Sequence, residues 1–495
     1  MSGNVFRLLR LSAALLLCSC SLVSYQPLET IDKIDPDSGY RLGSRFGQSE
    51  DDTLLVLAFS GGGSRAAAFG YGVLEQLNRQ QVEIGGRRQS LLESTDLVYG
   101  VSGGSVLAAY YSLHGKDSIP AFEKRFLKQN FQRQVAGQVF SLANMPRLTS
   151  PQFGRSDLVQ EQFEAALFGQ TTFGDLEKRR KGPFAVISAT DMSLGSRFDF
   201  VQEYFDPMCL NLAKLPIARA VAASSAVPLV FSPITLNNNG GRCGYRPPAH
   251  LQAPSKSQDG EGRLQDETRK EYLRQIEAYT DGGKRPFIHL LDGGLTDNLA
   301  LRGLLDGTVV HPQALLQRSL AENRLKRVVL ISVNAQNQAG SPIDQSADVP
   351  GFKPVLDAVV NVPIDRNSQE SLRQVRAYAD QWNAKLPVGG GAPRVYFVSL
   401  QLRDLPPSVL KEQVLNISTS FRLLPSEVNA LKQAAAVLLR TSPEYRRLLD
   451  DLSATPDNSP MPADLQAAAT VSAALGNDGA DGNAAASAAS APAAE

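Results

Sequence analysis

The stretch VYGVSGGSVLAAYY, residues 98–111, decides how the rest of the chain is interpreted. It begins at the end of an apolar strand, passes through Gly-x-Ser-x-Gly and continues directly into a helix-like sequence. A serine on such a sharp turn is held in a strained conformation with its hydroxyl exposed above the sheet edge. Gly100 and Gly103 flank the turn, where a Cβ atom would collide with neighbouring backbone. The pattern predicts Ser102 as a nucleophile, although an ordinary Gly-Ser turn would have the same sequence.

The composition of the 495-residue chain bears on its architecture and its partners. Fifty basic residues balance 50 acidic ones, so the formal net charge is zero. No strongly basic face is therefore predicted, and we expect no nucleic-acid partner. The length allows two or three average domains, or one large α/β domain with additions. Nothing in the sequence indicates a partner protein.

Residues 1–19 are typical of an export signal rather than of the fold. Arg7 and Arg10 precede the short apolar run LSAALLL, which is too short to span a bilayer as a helix. Small residues follow this run. We therefore exclude this segment from the folded domain and expect an exported protein.

The end of the signal, Leu17-Cys18-Ser19-Cys20, resembles the bacterial lipobox, whose last cysteine is acylated and becomes the first residue. The alternatives are an ordinary signal peptide cut nearby, or a cut before Cys18. Several acyl chains such as palmitate on Cys20 would anchor the protein stably. Ser21 resembles an outer-membrane address, so we expect a lipid anchor in the cell envelope, followed by a tether over residues 20–52.

A glycine-rich loop, SGGGSRAAA (residues 60–68), follows the apolar run TLLVLAF (residues 53–59). Consecutive glycines between a strand and a helix let backbone N–H groups converge on an anion. An oxyanion hole, a phosphate cradle and a dinucleotide-binding loop all fit this geometry. Gly61-x-Gly63-x-x-Ala66 satisfies the loose dinucleotide pattern, and a purely structural turn is a fourth interpretation.

A third motif, Asp292-Gly293-Gly294, follows the apolar strand FIHLL, residues 287–291. The carboxyl ends of parallel strands converge on one edge of a sheet, so we expect Asp292 to meet Ser102 there. A serine needs a neighbouring base. None of the chain's histidines stands in a motif that would present it to the serine, which leaves Asp292 as the candidate base. The histidines are His114, His250, His289 and His311.

Two cysteines remain after removal of the signal, and in an exported protein two cysteines usually pair. We therefore expect a disulfide between Cys209 and Cys243. Cys243 lies in a polar insertion, residues 237–285, which is not expected to contribute to the core. The spacing of the cysteines and histidines gives no support for a metal site.

The last segment, residues 453–495, consists mainly of Ala, Pro, Asp, Asn, Gly and Ser and has no basic residue. Such a composition buries too little apolar area to offset the entropy of ordering, so we expect a disordered tail. The folded domain is therefore predicted over residues 53–452, with its three motifs within residues 53–300.

Together the three motifs, in this order, resemble the patatin-like phospholipases, and AASSAVP (residues 222–228) is similar to the small-residue helix of that family. The resemblance implies a three-layer α/β/α hydrolase fold with a mostly parallel central sheet. It also implies a serine acyl hydrolase that cleaves acyl esters of lipids, of the phospholipase A, lysophospholipase or lipid esterase type. No cofactor is implied. One departure is Ala66, where many members carry glycine.

The resemblance also assigns roles to individual residues. Ser102 attacks the ester carbonyl, and Asp292 accepts its proton and later activates water. The oxyanion hole is formed at Gly61, Gly62 and Gly63: the N–H groups of Gly62 and Gly63 donate, and Gly61 shapes the loop. Arg65 supports the loop, and the flanking motif residues are Gly100, Gly104, Gly293 and Gly294.

Three rival hypotheses remain open. The first is a non-catalytic envelope lipoprotein that uses the fold as a binding scaffold. The second is a dinucleotide-binding enzyme, which would need an acidic residue about 20 positions after the glycine loop, where Glu83 is nearest. The third is a Ser-His-Asp hydrolase with His289 or His311 as the base.

Overall fold

A mixed eight-stranded sheet forms the centre of the structure, a computed structural model that describes residues 23–42, 52–253, 260–310, 325–336, 346–386 and 392–454. The strand order is β10-β9-β1-β4-β5-β8-β7, with β6 paired to β5, while β2 and β3 form a separate hairpin. The strands are β1 (Thr53–Phe59), β2 (Gln81–Ile84), β3 (Arg87–Ser90), β4 (Leu97–Val101), β5 (Phe184–Asp191), β6 (Ser196–Asp199), β7 (Ile234–Asn237), β8 (Phe287–Asp292), β9 (Arg327–Asn334) and β10 (Arg394–Gln401).

Five neighbouring strands, β10, β9, β1, β4 and β5, run parallel. Every residue of β1 is buried, as is typical of a strand covered on both faces. Phe59 pairs with Gly100 and Val101 with Ser188, so the segments after β1 and β4 leave from the same edge. The prediction of a mostly parallel central sheet is confirmed.

Strand β8 differs from the prediction that it is a buried parallel strand. It runs antiparallel to β5, with Asp292 opposite Ala189 and Leu290 opposite Asp191. Its exposed and buried side chains alternate, which is typical of an antiparallel strand with one face exposed to solvent. β5 extends past the end of β4, and β8 returns along that extension. Asp292 therefore reaches the end of β4 from the opposite direction to the one expected.

Helices flank the sheet and complete the predicted α/β/α arrangement. In the described part of the chain, every helix is too short or too polar to cross a membrane. The helices are α1 (Gly63–Arg79), α2 (Gly103–His114), α3 (Ser118–Phe122), α4 (Phe131–Val139), α5 (Met145–Leu148), α6 (Arg155–Phe163), α7 (Phe173–Arg179), α8 (Gln202–Phe205), α9 (Ile217–Ser224), α10 (Ala249–Gln252), α11 (Gly260–Thr280), α12 (Gly294–Asp297), α13 (Leu301–Val310), α14 (Phe352–Ala384), α15 (Val409–Leu415), α16 (Pro425–Thr441) and α17 (Pro443–Asp451).

The polar insertion contributes to the core, contrary to expectation. Its helix α11 buries Tyr272, Ile276 and Tyr279, whose spacing places them on one helical face. The Tyr279 hydroxyl donates a hydrogen bond to the buried Asp191 carboxylate at 3.0 Å. The segment is polar on average, so its composition does not reveal this apolar stripe. The stripe and the Tyr279 hydrogen bond hold the insertion at the end of β5.

The described part of the predicted tether, residues 23–42, also differs from expectation because it lies against the folded body. The buried Tyr40 hydroxyl donates to the Ala185 carbonyl at 2.9 Å and accepts from the Ala185 N–H at 2.8 Å. Arg41 forms a buried ion pair with Asp206 at 2.7 Å. These contacts fix the segment on the sheet.

Several sequence predictions concern parts of the chain outside the described residues. They are the signal peptide, the acylated Cys20 and the tail beyond residue 454. Cys209 and Cys243 are within the described residues, where a disulfide joins them with their Cα atoms 5.6 Å apart.

Candidate active site

Ser102 occupies the turn between β4 and α2. Its backbone has φ 51° and ψ −123°, which residues with a Cβ atom rarely adopt. A Cβ atom on Gly103 would lie 2.0 Å from the Gly63 carbonyl oxygen, so a side chain at that position is excluded. Gly100 lies one residue before the end of β4 and Gly104 is the second residue of α2, both against neighbouring backbone. The turn has the strained geometry in which a nucleophile is exposed above a sheet.

The Ser102 hydroxyl donates a hydrogen bond to Asp292 Oδ2 at 2.8 Å. Both residues are largely buried, with 5% of Ser102 and 7% of Asp292 exposed. The other carboxylate oxygen, Oδ1, accepts the Gly294 N–H at 2.8 Å. Sequence motifs 190 residues apart therefore meet in one hydrogen-bonded pair.

Burial raises the pKa of Asp292 from 3.8 to about 6. Loss of hydration penalises the charged carboxylate, and the hydrogen bonds from Gly294 and Ser102 only partly oppose this effect. A carboxylate with a pKa near neutrality is a stronger base than an exposed aspartate, yet it is still mostly ionised at pH 7. The pair can therefore transfer a proton from the serine hydroxyl to the carboxylate.

The backbone around Asp292 is fixed on both sides. Its N–H donates to the Ala226 carbonyl at 3.0 Å, and its carbonyl accepts the Thr190 hydroxyl at 2.9 Å. The Gly293 N–H donates to the Ser224 carbonyl at 3.2 Å. These bonds hold the carboxylate in place without using its oxygens.

Ser224, at the end of α9, is a site residue that sequence reasoning missed. Its Oγ accepts the Ser102 N–H at 2.8 Å and donates to the Ser188 carbonyl at 2.6 Å. The small residues of this helix are typical of close packing between a helix and a sheet, and that pattern alone does not distinguish Ser224 from its neighbours. Two consecutive serines at the end of an alanine-rich helix, with a proline three residues further on, were the available signal. Ser224 links the strained turn to β5 and so positions the nucleophile.

The glycine loop lies against Ser102, since a Cβ atom on Gly61 would be 3.4 Å from Ser102 Cβ. The Gly61 N–H is engaged by the Asn298 carbonyl at 3.0 Å and is not available to a ligand. Gly63 has φ 62°, which glycine adopts readily. Within the described residues the N–H groups of Gly62 and Gly63 have no hydrogen-bond acceptor. They begin α1 and can donate to an anion.

Arg65 ties the glycine loop to distant parts of the chain. Its guanidinium donates to the Ala335 carbonyl at 2.8 Å and to the Ile417 carbonyl at 2.6 Å, and the residue is buried. Burial lowers its pKa from 12.5 to about 10, so it remains positively charged at neutral pH. Arg65 therefore both orders the loop and places a positive charge next to it.

The histidines give no support to a serine-histidine pair. His114 lies at the far end of α2, and the His289 ring bonds the Thr235 hydroxyl at 3.0 Å on the exposed side of β8. His250 lies on α10, and His311 is outside the described residues. The serine hydroxyl instead bonds a carboxylate.

Two other sequence features lie away from Ser102. Glu83, the acid that a dinucleotide site would need, is exposed on the separate β2–β3 hairpin. Asp281, which begins a second Asp-Gly-Gly tripeptide, lies in an exposed turn and pairs with Lys284 at 3.0 Å. In the described part of the chain, no three His, Cys, Asp or Glu side chains converge as a metal site would require.

No curated protein matches this chain. One solved structure similar to it is human GIVD cytosolic phospholipase A2, at 12% identity and a TM-score of 0.42, over 81% of this chain and 62% of the human chain. The same human protein in complex with methyl gamma-linolenyl fluorophosphonate gives 14% identity and a TM-score of 0.41, over 81% and 59%. VipD from Legionella pneumophila gives 12% identity and a TM-score of 0.30, over 88% and 72%. The chain thus spans about three fifths of the human enzyme's length.

A family model described as patatin-like phospholipase matches residues 57–305, about half of the chain. The match includes the glycine loop, the serine turn and Asp292. The chain therefore belongs to the patatin-like phospholipase family, a family of lipid acyl hydrolases.

Proposed function

We propose that this protein is a serine hydrolase of lipid acyl esters, of the phospholipase A, lysophospholipase or lipid esterase type, which uses Ser102 and Asp292 as a catalytic dyad. The observation that carries the proposal is the 2.8 Å hydrogen bond between the Ser102 hydroxyl and the buried Asp292 carboxylate. The strained backbone of Ser102 supports it, because such strain persists where surrounding structure holds a functional group in place.

In the first half of the reaction, Ser102 Oγ forms a bond to the ester carbonyl carbon while its proton moves to Asp292 Oδ2. The carbonyl oxygen becomes an oxyanion, which the free N–H groups of Gly62 and Gly63 stabilise. Each such donor contributes about 3–4 kcal/mol to the transition state. Collapse of the intermediate breaks the bond to the alcohol, which leaves with the proton held by Asp292.

In the second half, the ionised Asp292 accepts a proton from water, and the resulting hydroxide attacks the acyl-serine. A second oxyanion forms at the same N–H groups. When it collapses, Ser102 regains its proton from Asp292 and the fatty acid is released. The carboxylate alternates between the two protonation states, which its pKa of about 6 allows near neutral pH.

Substitution of the two dyad residues tests this proposal. Ser102→Ala and Asp292→Asn should each lower hydrolysis of a short-chain ester by orders of magnitude, and the double variant should be little worse than either. Asp281→Asn is the matched control, because Asp281 begins a second Asp-Gly-Gly tripeptide that lies in an exposed turn. This variant should retain activity. If Asp292→Asn retains most activity while a histidine substitution abolishes it, the dyad is wrong. A folded parent that hydrolyses no ester would favour the non-catalytic scaffold.

We also propose that acylated Cys20 anchors the protein in the cell envelope, in the outer membrane. The lipobox-like sequence and the following Ser21 support this placement. Cys20→Ser should leave the protein soluble, or uncleaved in the inner membrane. An unmodified mature N-terminus in the mass spectrum of the parent would refute the anchor.

A further inference from the structure

Three large apolar side chains are exposed on residues 140–145, the segment that joins α4 to α5. The exposed fractions are 83% for Phe140, 85% for Leu142 and 56% for Met145. The segment is well held, because the Asn144 side chain donates to the Gln138 carbonyl at 3.0 Å and the Met145 N–H donates to the Ser141 carbonyl at 3.1 Å. An exposed apolar cluster of this kind is typical of a surface that binds a membrane or another protein.

Residues 130–156, which contain this segment, have no acidic residue, although the whole chain is neutral. Their three basic residues are Arg133, Arg147 and Arg155. Arg147 pairs with Glu161 on α6, and Arg133 and Arg155 are exposed. Such a segment is attracted to anionic phospholipid head groups and contains no carboxylate that they would repel.

The N-terminal end of the described chain lies on the same surface. The Ser150 hydroxyl donates to the Val23 carbonyl at 2.6 Å, and the Tyr25 N–H donates to the Gln152 side chain at 2.7 Å. Cys20 precedes Val23 by three residues, which span roughly 10 Å when fully extended. An acylated Cys20 would therefore bring the bilayer next to the 140–145 segment.

This surface also continues to the wall of the active site. The Arg155 guanidinium donates to the Leu229 carbonyl at 3.0 Å, and Leu229 and Val230 are 62% and 53% exposed. Their loop begins at Ala226, whose carbonyl accepts the Asp292 N–H. Residues 140–155 thus connect the exposed apolar segment to the N-terminal end of the described chain and to the loop beside the dyad.

We infer that the 140–145 segment, together with Leu229 and Val230, docks on the lipid bilayer and inserts its apolar side chains at the head-group boundary. The acylated N-terminus holds the protein at the membrane. The docked residues fix the orientation of the protein, so that the loop carrying Leu229 and Val230 faces the lipid. That this orientation delivers an ester to Ser102 rests on the proposed function, whereas the docking itself does not.

Tryptophan fluorescence of the mature protein in vesicles of phosphatidylethanolamine and phosphatidylglycerol tests the inference. Phe140→Trp and Leu142→Trp should each lose most of their added fluorescence when the vesicles contain phosphatidylcholine brominated on its acyl chains. The parent's one tryptophan, Trp382, gives the background. Lys181→Trp is the control, because this exposed position precedes β5, at the opposite end of the parallel strands from Ser102. It should not be quenched.

Three results would overturn the docking. The first is equal quenching of Lys181→Trp, which would show no preferred orientation. The second is no quenching of Phe140→Trp and Leu142→Trp by brominated lipid while aqueous iodide quenches both. The third is protection of both from lipid and iodide alike, which would indicate that a second copy of the chain covers the segment.

Hydrolysis separates failure of the docking from failure of the proposed function. Replacing Phe140, Leu142 and Met145 together with serine should lower hydrolysis of vesicle lipid several-fold and leave hydrolysis of a soluble short-chain ester unchanged. Equal rates on vesicles for this variant and the parent would contradict the docking and leave the dyad intact. Quenching by lipid in a parent that hydrolyses neither substrate would support the docking and refute the proposed function.

Discussion

Replacing the dyad carboxylate should stabilise the fold at neutral pH, because burial raises the pKa of Asp292. In the folded protein this pKa is about 6, against 3.8 for an exposed aspartate. Below about pH 4 the carboxyl group of Asp292 is protonated in both the folded and the unfolded chain, so it does not change the free energy of unfolding. Between about pH 4 and 6 the unfolded chain releases a proton that the folded protein keeps. The free energy of unfolding therefore falls as pH rises through this window, and the loss is constant above it.

The magnitude follows from the shift. About two pKa units at about 1.4 kcal/mol each correspond to about 3 kcal/mol of stability lost by the parent at pH 8. Asp292→Asn keeps a similar shape, and its neutral side chain can still bond Gly294 and Ser102. The variant should therefore be more stable than the parent by up to about 3 kcal/mol at pH 8 and equally stable near pH 4. Asp297, whose pKa is also raised to about 6 by burial, is present in both proteins and cancels from the difference.

Urea unfolding of parent and variant at pH 4, 5, 6 and 8, read from far-ultraviolet circular dichroism, measures this difference. Asp281→Asn is the control. Hydrogen bonds from the backbone N–H and the side chain of Lys284 hold the pKa of Asp281 below its usual value, so this change should give no gain in stability at high pH. A constant difference between Asp292→Asn and the parent across the range, or a loss of stability at pH 8, would refute the reasoning that burial raises this pKa.

Three further predictions concern the same site. The rate of ester hydrolysis should rise with pH and reach half its maximum near pH 6, because only the ionised Asp292 accepts the serine proton; a flat profile between pH 5 and 7 would contradict this. Ser224→Ala should lower kcat by about tenfold or more with little change in KM, since the buried Ser102 N–H loses its acceptor, a loss of about 1–3 kcal/mol; an unchanged kcat in steady-state assays would count against a positioning role. Gly63→Ala should destabilise the fold more than Gly86→Ala in urea unfolding. Both have positive φ, but only at Gly63 would the new methyl meet a backbone carbonyl, at 2.5 Å, so equal losses would be inconsistent with the structure.

Local patterns in the sequence were sufficient to predict the parallel part of the sheet and the three motifs. The apolar runs of β1 and β4 are short, fully buried and followed by glycine-containing turns, which is typical of strands buried on both faces that end at a site. The direction of β8 was not predictable in this way. Its apolar run resembles the others, and its antiparallel pairing depends on the extension of β5 and on β7, which are properties of the assembled sheet. Ser102 and Asp292 meet as expected, but Asp292 comes from an antiparallel strand and not from a parallel one.

Other features could not be predicted because they depend on contacts between distant residues. The role of Ser224 requires its Oγ to lie between the Ser102 N–H and the Ser188 carbonyl, and no local pattern specifies this. Tyr40 is buried because its ring stacks on Phe184 and its hydroxyl bonds Ala185 of β5, although the surrounding polar sequence resembles a linker. The composition around Ser224 is typical of close packing, and the composition around Tyr40 is typical of a flexible linker. In each case a single side chain forms specific contacts that the composition does not reveal.

Labelling by a fluorophosphonate, followed by mass spectrometry of the modified peptide, tests the central claim most directly. The probe forms a covalent bond only with an activated serine, and its phosphonyl oxygen occupies the position of the oxyanion. We predict one adduct, on Ser102, which is absent in Ser102→Ala and forms far more slowly in Asp292→Asn. An adduct on a different serine, or labelling of Ser102 at an unchanged rate in Asp292→Asn, would contradict the dyad.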